Sequence, residues 1–76
     1  MRSSEILREN LEYITWIRNI NRMRLAELTG ISYNQILRIF KGENTSLFTL
    51  DVIAESLGCE TWQLLKEDGV RGYTWR

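Results

Sequence analysis

Three glycines divide the sequence into short segments, and within each segment the apolar residues recur with the period of an α-helix. Gly30, Gly42 and Gly58 each end such a segment, where a residue that tolerates positive φ can close a helix. The sequence contains no proline, and no long stretch alternates apolar and polar residues as a strand would. Short helical segments joined by short links predict an all-α domain with mostly local contacts.

Capping residues and apolar spacing together predict five helices. The first helix is predicted to begin after Ser3 or Ser4, either of which can cap it, and to run to about Arg18. The others are predicted from Arg22 to about Thr29, from Tyr33 to about Lys41, from the end of the connector at residues 43–46 to Leu57, and from about Thr61 to Lys66. Asn21 and Ser32 are the predicted caps of the second and third helices. The tail, residues 67–76, has two glycines and no helical period, so the domain is predicted to span residues 1–66.

The apolar face of each helix predicts the core. The residues expected there are Leu7, Leu11, Ile14 and Ile17 of the first helix, Leu25, Ala26 and Leu28 of the second, Ile36, Leu37, Ile39 and Phe40 of the third, and Leu47, Leu50, Ile53, Ala54 and Leu57 of the fourth. Trp16 is predicted to fill the core as well. Cys59, the only cysteine, is predicted to be a small buried apolar residue.

Size and composition narrow the range of functions. A chain of 76 residues has room for one small domain and for no deep cleft. It contains no histidine and a single cysteine, so we expect no disulfide, no metal site, no cofactor and no enzymatic activity. No apolar run approaches eighteen residues and no signal peptide is apparent, so we expect a cytoplasmic protein with no membrane partner.

The formal net charge is zero, which argues mildly against a protein that binds nucleic acid. The charges are unevenly distributed, however. Residues 1–41 contain seven Arg or Lys and four acidic residues, a net of +3, whereas residues 42–76 contain three and six, a net of −3. A dipolar molecule can still present a basic face to a polyanion, with an affinity that salt weakens strongly.

The third helix has one apolar side and one polar side. At 100° per residue, its polar residues Asn34, Gln35, Arg38 and Lys41 share an arc of about 120°. The link LTGIS, residues 28–32, ends a two-turn helix at a glycine and starts a capped helix two residues later. Such a link suits a near-perpendicular corner, which is the geometry of a helix-turn-helix motif.

With this corner, the sequence resembles the XRE or Cro/repressor type of helix-turn-helix DNA-binding proteins. The matching residues are Ile20, Asn21, Arg22, Leu25, Ala26, Gly30, Ser32, Ile36, Ile39, Gly42, Leu50, Ile53, Ala54, Leu57, Gly58, Leu64 and Leu65. The resemblance covers about residues 10–65 and implies a five-helix, lambda repressor-like domain whose third helix lies in the DNA major groove. Double-stranded DNA is then the expected partner.

The resemblance also implies which residues contact DNA. Tyr33, Asn34 and Arg38 correspond to common base contacts of the family, and Gln35 lies close behind; Asn and Gln suit adenine edges, and Arg suits guanine. The alternative is that this polar face is only solvated. The expected phosphate contacts are Asn21, Arg22, Lys41, Asn44 and Thr45, each of which has an alternative role as a cap or loop residue.

Two departures from the family pattern affect the expected affinity. Thr15 and Phe40 stand where many relatives have an Arg–Glu ion pair, so an apolar contact is predicted in its place. Phe48 stands where some relatives have a phosphate-binding cation. A homodimer would offset the weaker binding by placing two recognition helices about 34 Å apart. The expected dimer or partner interface is formed by Phe48, Thr61, Trp62, Leu64, Tyr73 and Trp75, for which core filling is the alternative.

The sequence is compatible with two functions of different classes. The first is a sequence-specific transcriptional regulator, Cro-like or repressor-like, that occupies an operator as a dimer. The alternative is a protein-interaction module of the same fold, an antirepressor or antitoxin-like partner, that uses the acidic half and the C-terminal tail as its contact surface.

Overall fold

The structure, a computed structural model, describes residues 2–71 and contains five α-helices in that range. They are α1 (Arg2–Ile17), α2 (Arg22–Thr29), α3 (Tyr33–Phe40), α4 (Leu47–Leu57) and α5 (Thr61–Leu65). No strand occurs among these residues, so the predicted all-α, five-helix fold is confirmed. The predicted ends of α1, α3 and α5 each lie one residue beyond the observed ends.

Side-chain caps begin three of the helices. The side-chain oxygen of Asn21 accepts a hydrogen bond from the backbone N–H of Arg24 at 2.7 Å, and Ser32 Oγ accepts from the N–H of Gln35 at 3.2 Å. Ser46 caps α4 in the same way, through the N–H of Thr49 at 3.1 Å. Each cap satisfies a donor that a helix start would otherwise leave unpaired, which fixes where these helices begin.

The core lies between the five helices. α1 packs against α3 and α5, α2 packs against α3 and α4, and α4 packs against α5. The fully buried side chains are Leu11, Ile14, Leu25, Ile36, Ile39, Ile53, Leu57, Leu64 and Val70. Cys59 is buried at the end of α4, as predicted.

Several residues predicted in the core are at the surface instead. Trp16 is 75% exposed, because it follows Leu7 by nine residues and so lies about 180° around α1 from the buried face. Leu47, the first residue of α4, is 70% exposed, and Ile17, at the end of α1, is also exposed. In α2 only Leu25 and Ala26 are buried, and Leu28 is exposed.

A buried asparagine that was not predicted joins α1 to α5. The Nδ2 atom of Asn10 lies 2.8 Å from the carbonyl oxygen of Leu64, 2.9 Å from that of Lys66 and 3.1 Å from that of Gln63. Carbonyls at a helix C-terminus have no partner within the helix. Asn10 therefore satisfies the end of α5 from inside the core.

Residues 67–71 follow α5 as a series of turns that pack onto α1. Val70 is buried in the core, four residues beyond the predicted domain end at residue 66. Arg71 pairs with Asp68 at 2.9 Å, and its guanidinium lies 4.4 Å from the centroid of the Tyr13 ring. The first part of the predicted tail is thus attached to the domain.

Candidate nucleic-acid interface

The corner between α2 and α3 is intact. Gly30 closes α2 in the left-handed region with φ 75°, and its N–H donates to the carbonyl oxygen of Ala26 at 2.9 Å. One residue later, the N–H of Ile31 donates to the hydroxyl of Thr29 at 3.2 Å. Ser32 then caps α3, so the two helices are joined by only three residues.

The polar side of α3 is exposed over its whole length. Tyr33, Asn34, Gln35, Arg38 and Lys41, which follows the last residue of the helix, are all at the surface. On the opposite side Ile36, Ile39 and Phe40 are buried, and Leu37, at the edge of the apolar arc, is half-buried. The core therefore covers one side of α3 and leaves the predicted base-contact residues accessible.

Asn34 and Arg38, at the centre of this surface, carry free polar groups. Among residues 2–71, the side chains of Asn34 and Arg38 have no hydrogen-bond or ion-pair partner, so their donors and acceptors remain available to an outside molecule. Gln35 differs, because its Nε2 donates to the hydroxyl oxygen of Thr49 at 3.4 Å.

Depressions on both sides of α3 bring the candidate phosphate contacts close to it. On one side, Asn21 and Arg22 line a cleft together with Tyr33. On the other side, Asn44 and Thr45 line a groove together with the base-contact candidates Asn34, Gln35 and Arg38. A helix in the major groove has a phosphate strand on each side, and this arrangement provides polar groups for both.

Asn21 and Asn44 have free N–H donors that can bind an anion. Asn21 uses its side-chain oxygen to cap α2, and Asn44 accepts from Ser4 Oγ at 3.3 Å through its oxygen, so both amide NH2 groups are left to donate. Lys41 is exposed at the end of α3. All three residues are exposed, and their role as phosphate contacts stays a prediction.

Thr45 is not oriented for the role predicted for it. Its hydroxyl oxygen is buried and has no hydrogen-bond partner within the described range 2–71. A hydroxyl that points inward cannot reach a phosphate on the surface, so in this conformation Thr45 does not belong to the phosphate-contact set.

Glu43, which was not among the predicted site residues, lies in the same groove as Arg38 and Asn44 and is exposed. Its carboxylate would repel a nearby phosphate and weaken binding. The signal was present in the sequence, because Glu43 immediately follows the glycine that ends the third predicted helix and so begins the connector assigned to phosphate contact.

The two residues that replace the family's ion pair line the cleft beside α2. The hydroxyl of Thr15 donates to the carbonyl oxygen of Leu11, in its own helix, at 2.8 Å. Phe40 is buried, and the guanidinium of Arg22 lies over its ring, 4.5 Å from the centroid. A cation–π contact therefore covers the residue for which only an apolar contact with Thr15 was predicted.

The predicted interface residues do not all lie at the surface. Phe48 is 76% exposed and Trp62 59% exposed, and Thr61 donates its hydroxyl hydrogen to Asp51 at 2.5 Å. Leu64 is fully buried, so its assignment to an interface is corrected: it faces the core from α5. Tyr73 and Trp75 lie outside the described residues.

Comparison with known protein families identifies the kind of domain to which the exposed face of α3 belongs. A family model described as a Cro/C1-type HTH DNA-binding domain matches residues 10–67. The chain belongs to this family. The match begins within α1 and includes α2 to α5, which confirms the resemblance found from the sequence. No curated protein and no solved structure matches the chain.

Membership in the Cro/C1-type family makes the chain a DNA-binding regulator and not an enzyme. Within residues 2–71, no helix is long and apolar enough to span a bilayer. In the same part of the chain, no three His, Cys, Asp or Glu residues are grouped so that they could hold a metal ion.

Proposed function

We propose that this Cro/C1-type protein is a sequence-specific transcriptional regulator that inserts α3 into the major groove of an operator. The observation that carries the proposal is the exposed, unpaired state of Asn34 and Arg38 on the second helix of an intact corner. Because a regulator of this kind must reach its DNA, we expect a cytoplasmic localisation.

The residues divide into two roles. Arg38 is suited to the O6 and N7 acceptors of guanine, and Asn34 and Gln35 to an adenine edge, with Tyr33 at the entry of the helix. Asn21, Arg22, Lys41 and Asn44 are the proposed phosphate contacts, because they lie beside α3 and carry free donors. Base contacts set the sequence preference, whereas phosphate contacts set the position and much of the affinity.

Selection of binding sites from random DNA duplexes at low salt tests this proposal. We expect a motif to be enriched. Arg38→Ala should then cost roughly 1–3 kcal/mol on the selected site and relax the base preference at one position. Lys41→Ala is the matched control, because it should weaken binding to all sequences alike. If no motif is enriched, the proposal of a sequence-specific regulator fails.

We also propose that the protein binds its operator as a homodimer. Phe48 and Leu47 in α4 and Trp62 in α5 are large exposed apolar residues, and we assign them to the interface with the second copy. A two-fold dimer doubles the number of phosphate contacts, which compensates for a net charge of zero.

Sedimentation with and without the selected DNA tests the dimer. A protomer of 9.0 kDa should sediment as a pair on the operator, and Phe48→Glu combined with Trp62→Glu should reduce the complex to one protomer. Ile17→Glu is the control, because Ile17 is an exposed apolar residue at the end of α1 that lines neither of the depressions beside α3. One protomer on a full operator for the unaltered protein would contradict the dimer.

The protein-interaction module is the second candidate function. The observations that favour it are the acidic Glu43 beside α3 and the zero net charge. Capture of a stoichiometric protein partner that is released by deleting residues 72–76 would support it. The deletion starts at residue 72 because Val70 belongs to the core. If the partner stays bound after this deletion, the tail is not its contact surface.

A further inference from the structure

A chain of side-chain hydrogen bonds links the recognition helix α3 to the start of α4. Gln35 Nε2 donates to Thr49 Oγ1 at 3.4 Å, and Ser46 Oγ donates to the same oxygen at 2.9 Å. Ser46 Oγ in turn accepts the backbone N–H of Thr49 at 3.1 Å, which is the cap of α4. The amide of Gln35 is thus attached to a hydroxyl that the fold itself holds in place.

Thr49 is one of three buried polar residues among residues 2–71; the other two are Asn10 and Gln63. Its backbone is fixed in the first turn of α4, and its hydroxyl oxygen receives two donors. A side chain that is buried and bonded in this way has little freedom to turn. It is therefore a rigid anchor for the exposed Gln35.

The bond to Thr49 leaves Gln35 with the groups that it needs to read a base. A glutamine amide has one carbonyl oxygen and two N–H groups, and only one N–H is used by Thr49. The free oxygen and the second N–H are the acceptor and donor that match the N6 amino group and N7 of adenine in the major groove.

We propose that Thr49 is a positioning residue that orients the Gln35 amide toward an adenine in the operator. The proposal rests on the proposed function, because it requires α3 to lie in the major groove. Thr49 does not touch the base; it fixes the side chain that does. Asn34 and Arg38 have no such anchor among residues 2–71.

Holding a side chain in place before binding removes part of the entropy cost of binding. For one immobilised side chain this effect corresponds to a gain of about 2- to 10-fold in preference for the matching base. The gain applies to one base pair, the one that Gln35 meets, and not to the others. This restriction distinguishes a positioning role from a general effect on stability.

Site selection with four proteins tests the proposal: the unaltered chain, Gln35→Ala, Thr49→Val and Thr49→Ser. Gln35→Ala should abolish an adenine preference at one base pair, which identifies the position that Gln35 reads. Thr49→Val keeps the shape of the side chain and removes the hydroxyl. We expect it to lower the adenine preference at that same position about 2- to 10-fold and to leave the other positions unchanged. Thr49→Ser should restore the preference.

Thermal unfolding of each variant and the double variant Gln35→Ala, Thr49→Val complete the test. In the double variant, Thr49→Val should add no further loss, because the amide that it positions is absent. An unchanged adenine preference in Thr49→Val, or an equal loss at every position, would overturn the positioning role. A motif without adenine at the Gln35 position overturns this proposal alone, whereas the absence of any motif overturns the proposed function as well.

Discussion

At the scale of single residues, Asn10 shows how one polar side chain can hold two helices together. Its amide reaches three carbonyl oxygens around the C-terminal end of α5, and the bonds to the carbonyls of Gln63 and Leu64 are buried. A buried carbonyl that has lost its hydrogen-bond donor still carries the full free-energy penalty of desolvation. The interaction is therefore worth more than a hydrogen bond at the surface.

We predict that Asn10→Ala lowers the free energy of unfolding by about 1–3 kcal/mol, because the carbonyls at the end of α5 lose their donor. Urea unfolding followed by circular dichroism measures this loss. Glu9→Ala is the matched control in the same helix, because Glu9 is exposed, and it should change stability little. An equal effect of the two substitutions would show that the amide contributes nothing.

Cys59 leads to a prediction about pH. Burial raises the pKa of its thiol from 9.0 to about 11, the neighbouring carboxylate of Glu60 adds to the rise, and Arg18 opposes it. The folded state thus favours the protonated thiol. The resulting stabilisation is fully present below about pH 9 and is lost as the pH rises toward about 11.

We expect the unaltered protein to lose more unfolding free energy than Cys59→Ala between pH 8 and pH 10.5, measured by urea unfolding. Cys59→Ala serves as the control, because every other effect of pH is common to the two proteins. Parallel curves for the two proteins would mean that the thiol does not contribute.

Single residues also show which predictions from the sequence were wrong or missing. The position of Trp16 was predicted from its type, although its place in the helical repeat puts it opposite Leu7. The buried amide of Asn10 gave no signal, because its partners are backbone groups more than fifty residues away in the sequence. Periodicity locates faces, whereas it does not reveal long-range polar contacts.

At the scale of helices, the local signals were reliable. Asn21, Ser32 and the glycines at 30 and 58 mark the ends of helices in the sequence and do so in the structure. These signals work because a cap and a positive-φ residue act on neighbouring backbone groups. The polar face of α3 was predictable for the same reason, since a single helix defines it.

We predict that Gly30→Ala lowers the free energy of unfolding by about 1–2 kcal/mol, because its φ of 75° is unfavourable for a residue with a Cβ. Apart from Gly30 itself and its two chain neighbours, no heavy atom of residues 2–71 lies within 4 Å of the added methyl group, so the cost comes from the backbone conformation. Gly30→Asn should cost less, since Asn tolerates this conformation better. Thermal unfolding compares the two, and equal losses would point to a different cause.

At the scale of the whole molecule, the charge distribution determines how the protein responds to salt. Each protomer offers two cations, Arg22 and Lys41, as proposed phosphate contacts, and the total charge is zero. Few counterions should therefore be released on binding compared with a strongly basic protein.

For a dimer with four such contacts, the logarithm of the binding constant should fall with the logarithm of salt concentration with a slope of about −3.6. Fluorescence anisotropy on the selected operator measures the slope. Lys41→Ala removes two contacts and should reduce the slope to about −1.8. A slope near −8 for the unaltered protein would show that many more cations reach the DNA than Arg22 and Lys41.

The two sides of the site differ in how far the sequence predicts them. The outward face of α3 follows from one helix, whereas the groove beside it combines α3 with the connector to α4. The inward turn of the Thr45 hydroxyl and the place of Glu43 depend on that combination. The orientation of Thr45 does not follow from spacing along the chain, whereas the position of Glu43 at the start of the connector does.

The stacking of Arg22 on Phe40 has a consequence for a chain with no surplus of positive charge. A guanidinium that is paired with a carboxylate has its charge neutralised by that partner. A guanidinium stacked on a phenyl ring keeps its charge, which can then attract an external anion. Phe40 therefore holds the guanidinium of Arg22 in place without neutralising its charge, which stays available to DNA phosphate.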